Sequence, residues 1–254
     1  MNWVSADRTR DGLKRVGKAL LRLYPMGFSL LWKAPLVLAL VVVPEFIQHI
    51  IEIRIGMFDS REAFKALAAD PSRMTFGYAK IAGLMLANLA AARFWWVRHA
   101  GGHWADVRTV AWVRLLVGGL LFIGVPMLPL LAEPYVSKTL FDISNWVLGI
   151  AMLPMLFLML AGLFGDRATP VGAMWRRSWP WLALTVILVV LAFAPAQWLH
   201  GMNHRWALGT DPATVWALMI FDSLLVGLLA GLIGTALYLG YAAFRDRLAP
   251  TGAA

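Results

Sequence analysis

The sequence predicts an all-α fold, a polytopic membrane helix bundle of six transmembrane helices with an N-terminal amphipathic interfacial helix. Three observations predict it. Of 254 residues, 60% are hydrophobic and only 15% charged, where soluble domains carry about a quarter charged. The apolar residues gather in runs of about 20, the length that crosses a hydrocarbon core of about 30 Å. The 23 Lys and Arg outnumber the 14 Asp and Glu, giving +9, and they fall unevenly between the runs. Such a composition excludes an ordinary soluble domain and a disordered chain. In a membrane protein a basic excess marks cytoplasmic loops, so no nucleic-acid partner is expected. Without cysteine there is no disulfide, thiolate metal site or Cys nucleophile.

Residues 1–27 are the basic lead-in. Leu13, Val16, Leu20 and Tyr24 share one helical face while Lys14, Arg15, Lys18 and Arg22 point elsewhere, the pattern of a helix lying on an anionic leaflet. The charges run to Arg22 with no cleavable apolar stretch before them, which argues against a signal peptide. Residues 28–244 then hold six apolar runs: Phe28 to Ile50, Ile81 to Val97, Leu115 to Leu131, Ile143 to Phe164, Trp181 to Leu199, and Ala217 to Ala243. Between the first two, Asp59 is expected to cap a short helix with Glu62, with Phe64 and Leu67 facing the membrane and Pro71 beyond its end. Pro44, Pro126, Pro129, Pro154 and Pro195 read as kinks, and Asn88 as glue between helices. In the sixth run, Gly227, Gly231 and Thr235 recur every four residues beside Ala230 and Gly234, a surface suited to close packing inside the chain more than to a second copy. Residues 245–254 form a short cytoplasmic tail.

Charge sets the orientation. With both termini, the loop after the second run and the loop after the fourth on one side, sixteen Lys and Arg face seven on the other, which predicts cytoplasmic termini in a cell inner membrane. Trp32, Trp95, Trp96, Trp112, Trp146, Trp179, Trp181, Trp198 and Trp216 fall near run ends, where indole rings anchor at the headgroups. A weak internal repeat, residues 16–98 against 171–246, pairs Val16-Gly17, Arg22 and Tyr24-Pro25 with Val171-Gly172, Arg177 and Trp179-Pro180. It sets His49 and His200 at equal depth.

The densest polar set is Glu45, Gln48, His49 and Glu52, spaced i, i+3, i+4, i+7 on one face at the outer end of the first run. His200 and His204, four apart, close the fifth run, and Asp222 opens the sixth on the same side. Intramembrane charges face a bundle interior or a water-filled cavity. Histidines with carboxylates suit a divalent metal or a proton relay, and they also suit a polar network at headgroup level; the sequence leaves the metal question open. On the cytoplasmic side, Arg15, Lys18, Arg22, Arg93, Arg98, Arg108, Arg176 and Arg177 are candidate contacts for lipid phosphates, a better reading of the His99 to His103 loop than a metal site. No H-E-x-x-H, G-x-S-x-G or P-loop pattern is present, and the loops are too short for a soluble catalytic domain.

The segment Val171 to Trp181, "VGAMWRRSWPW", entering the fifth run, with its echo at Val16 to Pro25 and the lead-in and long outer loop before it, resembles the YciC-like six-helix bacterial inner-membrane proteins. These have relatives beside some glycerophosphodiester phosphodiesterases. The resemblance implies a bacterial inner-membrane protein with no obvious enzyme activity and carries over no catalytic motif. The expected function is a non-enzymatic membrane protein, without a cofactor, that interacts with membrane lipids, a membrane-protein partner or a homo-oligomeric copy. The alternatives are a small-solute or ion transporter or channel using the outer cavity, and a membrane-embedded lipid-modifying enzyme.

Overall fold

The computed structural model describes residues 3–99 and 101–248, with side chains from Gly12 onward except at His99. The side chains of Arg8, Arg10 and His99, and residues 249–254 of the expected tail, lie outside the described residues. Among the described residues every long element is a helix: α1 (Trp3–Lys33), α2 (Pro35–Arg54), α3 (Arg61–Ala66), α4 (Pro71–His99), α5 (Trp112–Tyr135), α6 (Lys138–Phe164), α7 (Val171–Arg177), α8 (Trp179–Ala207) and α9 (Pro212–Leu248). Five of them, α2, α5, α6, α8 and α9, are long and apolar enough to cross a membrane. The second apolar run lies in α4, which is not one of the five; Arg73, Lys80, Asn88, Arg93 and Arg98 dilute it.

Three expectations about the N-terminal half change. The lead-in and the start of the first run form one helix that runs through Pro25 to Lys33, and the span begins only at Pro35, which takes the first turn of α2, where a missing N–H leaves no helical hydrogen bond unmade. In α1 the face turned into the protein carries Ala19, Leu23 and Leu30, whereas Leu13, Leu20 and Tyr24 are exposed. The cap of α3 is Ser60, whose Oγ accepts from Ala63 N at 3.0 Å, not Asp59. Pro71 lies beyond the end of α3, as its residue type suggests, and starts α4, whereas Phe64 packs on Phe58 with ring centres 6.3 Å apart.

The chain forms two compact units. The first joins the described residues of 96–186 with residues 3–16 and 237–248. In it α5 and α6 cross so tightly that a Cβ on Gly118 would lie 2.4 Å from Met159 N, and one on Gly162 2.1 Å from Leu115 N. Pro126 and Pro129 do more than kink α5, which runs through π and 3-10 turns from Leu120 to Leu131. Trp96, Phe157, Phe164 and Phe244 surround the fully buried Tyr241. Tyr241 donates to Asp166 at 2.7 Å. Asp166 ties the turn after α6 by accepting from Ala168 N, Thr169 N and Thr169 Oγ1.

The second unit, residues 17–95 with 187–236, is where small residues bring helices together. A Cβ on Gly227 would meet Val42, one on Gly231 would meet Leu30 and Leu38, and one on Gly234 would lie 2.5 Å from the Asn88 carbonyl oxygen. The four-residue stripe of α9 is therefore filled from within the chain. Asn88 contributes that backbone contact, while its side-chain Oδ1 is buried without a hydrogen bond. Trp95 is 4% exposed and donates to Thr235 at 2.9 Å, so it is a core residue and no headgroup anchor. Along α2, α4 runs antiparallel: Arg73 meets Glu52, Gly77 faces Gln48, Lys80 meets Glu45 and Gly83 abuts Leu40.

Candidate functional site

The polar stripe of α2 faces inward. Glu45, Gln48, His49 and Glu52 are all buried, and around them stand Arg73 and Lys80 from α4, His200, Asn203 and His204 from α8, and Asp222 from α9. The six residues the sequence singles out, Glu45, His49, Glu52, His200, His204 and Asp222, thus occupy one place within the second unit. Helical periodicity explains the convergence: residues four apart on α8 and seven apart on α2 return to the same face.

Asp222 is the hub. Its Oδ2 lies 2.7 Å from His200 Nδ1, 3.2 Å from His49 Nε2 and 3.7 Å from His204 Nε2, so three imidazoles point at one oxygen. Its Oδ1 accepts from Asn203 Nδ2 at 2.8 Å. His49 has carboxylates on both sides: Nδ1 is 2.8 Å from Glu52 Oε2, and Nε2 is 3.3 Å from Glu45 Oε1 as well as near Asp222. Glu52 is fixed in turn by Gln48 Nε2 at 2.9 Å and Arg73 Nε at 2.8 Å, and Glu45 by Lys80 Nζ at 3.2 Å. Buried charges need such partners, since an uncompensated one costs several kcal/mol.

Phe58 and Phe64 cover His204, one stacked at 5.7 Å and the other edge-on at 6.0 Å. Phe58 is held by its carbonyl, which accepts from Gly209 N at 2.8 Å in the turn between α8 and α9. The His200 and His204 side chains keep 18% and 14% exposure, against essentially none at Asp222, so the centre opens past these two rings. Gln48 Oε1, Asn203 Oδ1 and His204 Nδ1 are buried with no hydrogen bond, and the two amide oxygens can only accept. Two sets, His49 with His204 and Asp222, and Glu45 with His200 and Asp222, bring their ligand atoms within 4.8 Å of one another.

Sequence reasoning missed Arg73, Lys80 and Asn203. The signal was available: Arg73 and Lys80 are seven apart on α4, matching Glu45 and Glu52 seven apart on α2, and Asn203 shares the α8 face with His200.

The candidate lipid contacts are spread more widely. Lys18, Arg22, Arg98, Arg108, Arg176 and Arg177 are exposed. Arg15 is half-buried, with Nη1 lacking a hydrogen bond. Arg93 is 3% exposed, so it is spent inside the protein and leaves little for a lipid phosphate. Arg176 donates to its own Gly172 carbonyl, while Arg177 lines a cavity of about 500 Å³ with Trp181, Phe244 and Arg247.

No family model, curated protein or solved structure matches this chain, so the resemblance to YciC-like proteins stands on the residues quoted for it alone.

Proposed function

We propose that this chain is an integral membrane protein of the small-cation transporter class, which binds its ion in the buried centre around Asp222. The observation that carries the reading is the convergence of His49, His200 and His204 on one oxygen of buried Asp222, with Glu45 and Glu52 beside them. Arg73 and Lys80 pair with the two glutamates, and two amide oxygens near them have no donor. Imidazoles and carboxylates gathered in this way suit a cation, and intramembrane carboxylates of this kind mark ion pathways.

In this reading the protein sits in the inner membrane with both termini cytoplasmic and the centre in the outer half; the sixteen-to-seven division of Lys and Arg supports it. α4 makes the sixth crossing. Its support is the antiparallel run along α2, in which its Arg73 and Lys80 are paired with carboxylates and so cost less to insert. The first part of α1, through Arg22, lies at the cytoplasmic interface with Leu13 and Leu20 toward lipid, while its last turns enter the bundle, where Tyr24 donates to the Leu191 carbonyl and Leu30 meets Gly231. Reporter fusions after Asp70, Asp106 and Leu248 test the topology: the Asp70 fusion reports outside, the other two inside, and an inward Asp70 fusion refutes the orientation. For function, protein in liposomes is given gradients of Na⁺, K⁺, Ca²⁺ and Zn²⁺. Flux of at least one that disappears in Asp222→Asn is expected; no flux of any cation from the intact protein overturns the reading.

A second reading, a lipid-interacting membrane factor, has its own observation: Arg177 and Arg247 line one cavity with Trp181, the composition of a phosphate headgroup site. Mass spectrometry of co-purified lipids should then show anionic lipid lost from an Arg177→Ala, Arg247→Ala variant.

A further inference from the structure

We propose that the cation is a divalent transition-metal ion of the zinc class, bound by His49 Nε2, His200 Nδ1, His204 Nε2 and Asp222 Oδ2. This rests on the cation-binding reading above and narrows it to one chemistry. Zinc takes four ligands in a tetrahedron with bonds of about 2.0–2.1 Å, which places neighbouring ligand atoms about 3.3 Å apart. The three nitrogens stand 2.7, 3.2 and 3.7 Å from Asp222 Oδ2, scattered about that edge length; the ligand atoms of His49, His204 and Asp222 lie within 4.8 Å of one another, and His200 joins Asp222 in a second such set with Glu45. Imidazole-rich sites select Zn²⁺ and its neighbours, whereas Ca²⁺ and Mg²⁺ call for six or more oxygens.

Outer-shell partners stand behind His49 and Asp222. His49 Nδ1 pairs with Glu52 at 2.8 Å while Nε2 faces the oxygens of Asp222 and Glu45, so a metal ion on Nε2 takes the place of a proton shared with them. A carboxylate behind a histidine fixes its tautomer and raises its basicity. Gln48 and Arg73 hold Glu52, and Asn203 occupies Asp222 Oδ1, which leaves Oδ2 as the ligand. Phe58 and Phe64 shield one side, while the partly exposed rings of His200 and His204 give an entry path. His204 Nδ1 is buried without a hydrogen bond, so this ring is oriented by packing alone until Nε2 is ligated.

The test uses the full chain in nanodiscs, stripped with chelator and titrated with Zn²⁺ and with Co²⁺ as a spectroscopic probe. One Zn²⁺ per chain is expected, and Co²⁺ should give the intense visible absorption of a tetrahedral site, bleached by Zn²⁺. His204→Ala and Asp222→Asn should lose stoichiometric metal. Glu52→Gln keeps all four ligands and disturbs only the partner of His49, so it should still bind, 10–100-fold more weakly, as disturbed outer-shell partners do. Thermal unfolding of each variant is followed alongside, and a metal-dependent rise in Tm in the intact protein and in Glu52→Gln, absent in His204→Ala, is the expected pattern. Stoichiometric metal retained in His204→Ala overturns the ligand set. An intact protein that binds no Zn²⁺ or Co²⁺ but still carries Na⁺, K⁺ or Ca²⁺ overturns the metal assignment and leaves the cation reading standing; no binding and no flux of any cation overturns both.

Discussion

Gly83 ties the packing of the second unit to the geometry of its polar centre. A Cβ there would lie 2.3 Å from the Leu40 carbonyl oxygen and 3.0 Å from Pro44 Cγ. Carbon and oxygen settle no closer than about 3.3 Å, so Gly83→Ala must move α4 from α2 by about 1 Å. Lys80 is one helical turn away and holds Glu45 at 3.2 Å; the same shift carries that contact to about 4 Å, beyond hydrogen-bond range. Overpacking of this kind costs about 1–3 kcal/mol. Helix propensity returns up to about 1 kcal/mol, and loosened partners for two buried carboxylates outweigh it. The net expectation is a loss of about 1–3 kcal/mol, read as a fall of several degrees in Tm by circular dichroism in detergent. Gly201→Ala is the matched control: it sits in α8 beside His200, nothing lies within 4 Å of its would-be Cβ, and it should hold or raise stability by up to about 1 kcal/mol. Should Gly83→Ala be as stable as Gly201→Ala, the close α2–α4 approach described here is wrong.

Three further outcomes are expected. Arg73→Ala strips buried Glu52 of its guanidinium at 2.8 Å and should cost about 3 kcal/mol, against less for Lys80→Ala, whose contact is longer at 3.2 Å; equal effects in chemical denaturation would contradict the ranking. Trp95→Phe keeps the buried ring but deletes the bond to Thr235, for a loss of about 1 kcal/mol that a Thr235→Val background should abolish in a double-mutant cycle. Acid stability should depend on Asp166: burial pushes its carboxyl up, but the hydrogen bonds from Thr169 and Tyr241, with Arg245 nearby, bring it below the usual Asp value. A lowered carboxyl stabilises the fold fully above its unfolded pKa, about 3.9, and loses that contribution as pH falls through the folded value. Asp166→Asn should therefore be less stable than the parent at neutral pH, with the gap closing in acid; a gap that widens in acid reverses the sign and refutes the argument.

Much of the centre was legible because helices repeat. Glu45, Gln48, His49 and Glu52 had to share a face, and the run ends at His200 and Asp222 placed both near the same depth. What the sequence concealed depended on partners distant in the chain. Arg93 reads as a surface cation until the packing around α4 buries it, and Trp95 reads as an anchor until Thr235 is found 140 residues away. Composition also says little about the partners of α4: counted alone, Arg73 and Lys80 read as solvent-seeking cations, yet each is matched to a carboxylate on α2. The boundary at Pro35 was hidden because the apolar run continues across it and because Pro25 and Pro44 on either side stay inside helices, so residue type alone does not mark the break.

The polar centre works against stability as much as for it. Replacing a buried ionic network by apolar side chains of similar volume is often neutral or stabilising, whereas removing one partner is costly. Helices in lipid gain little from polar contacts, since the alternative partners of the unassembled state compete. Close glycine contacts at Gly83, Gly227, Gly231 and Gly234 already bring α1, α2, α4 and α9 together without help from Asp222. Ten polar and ionisable residues gathered at one end of such a bundle are therefore not explained by assembly alone. Their arrangement, with three rings aimed at one carboxylate oxygen and the basic residues held one layer behind, leaves the inner position to imidazoles and a carboxylate. A network built only to hold helices would place Arg73 or Lys80 against Asp222, the residue with the most converging groups. It places neither there; His49, His200 and His204 stand at Asp222 instead, side chains that take up a proton or a metal ion as readily as they hold a helix neighbour.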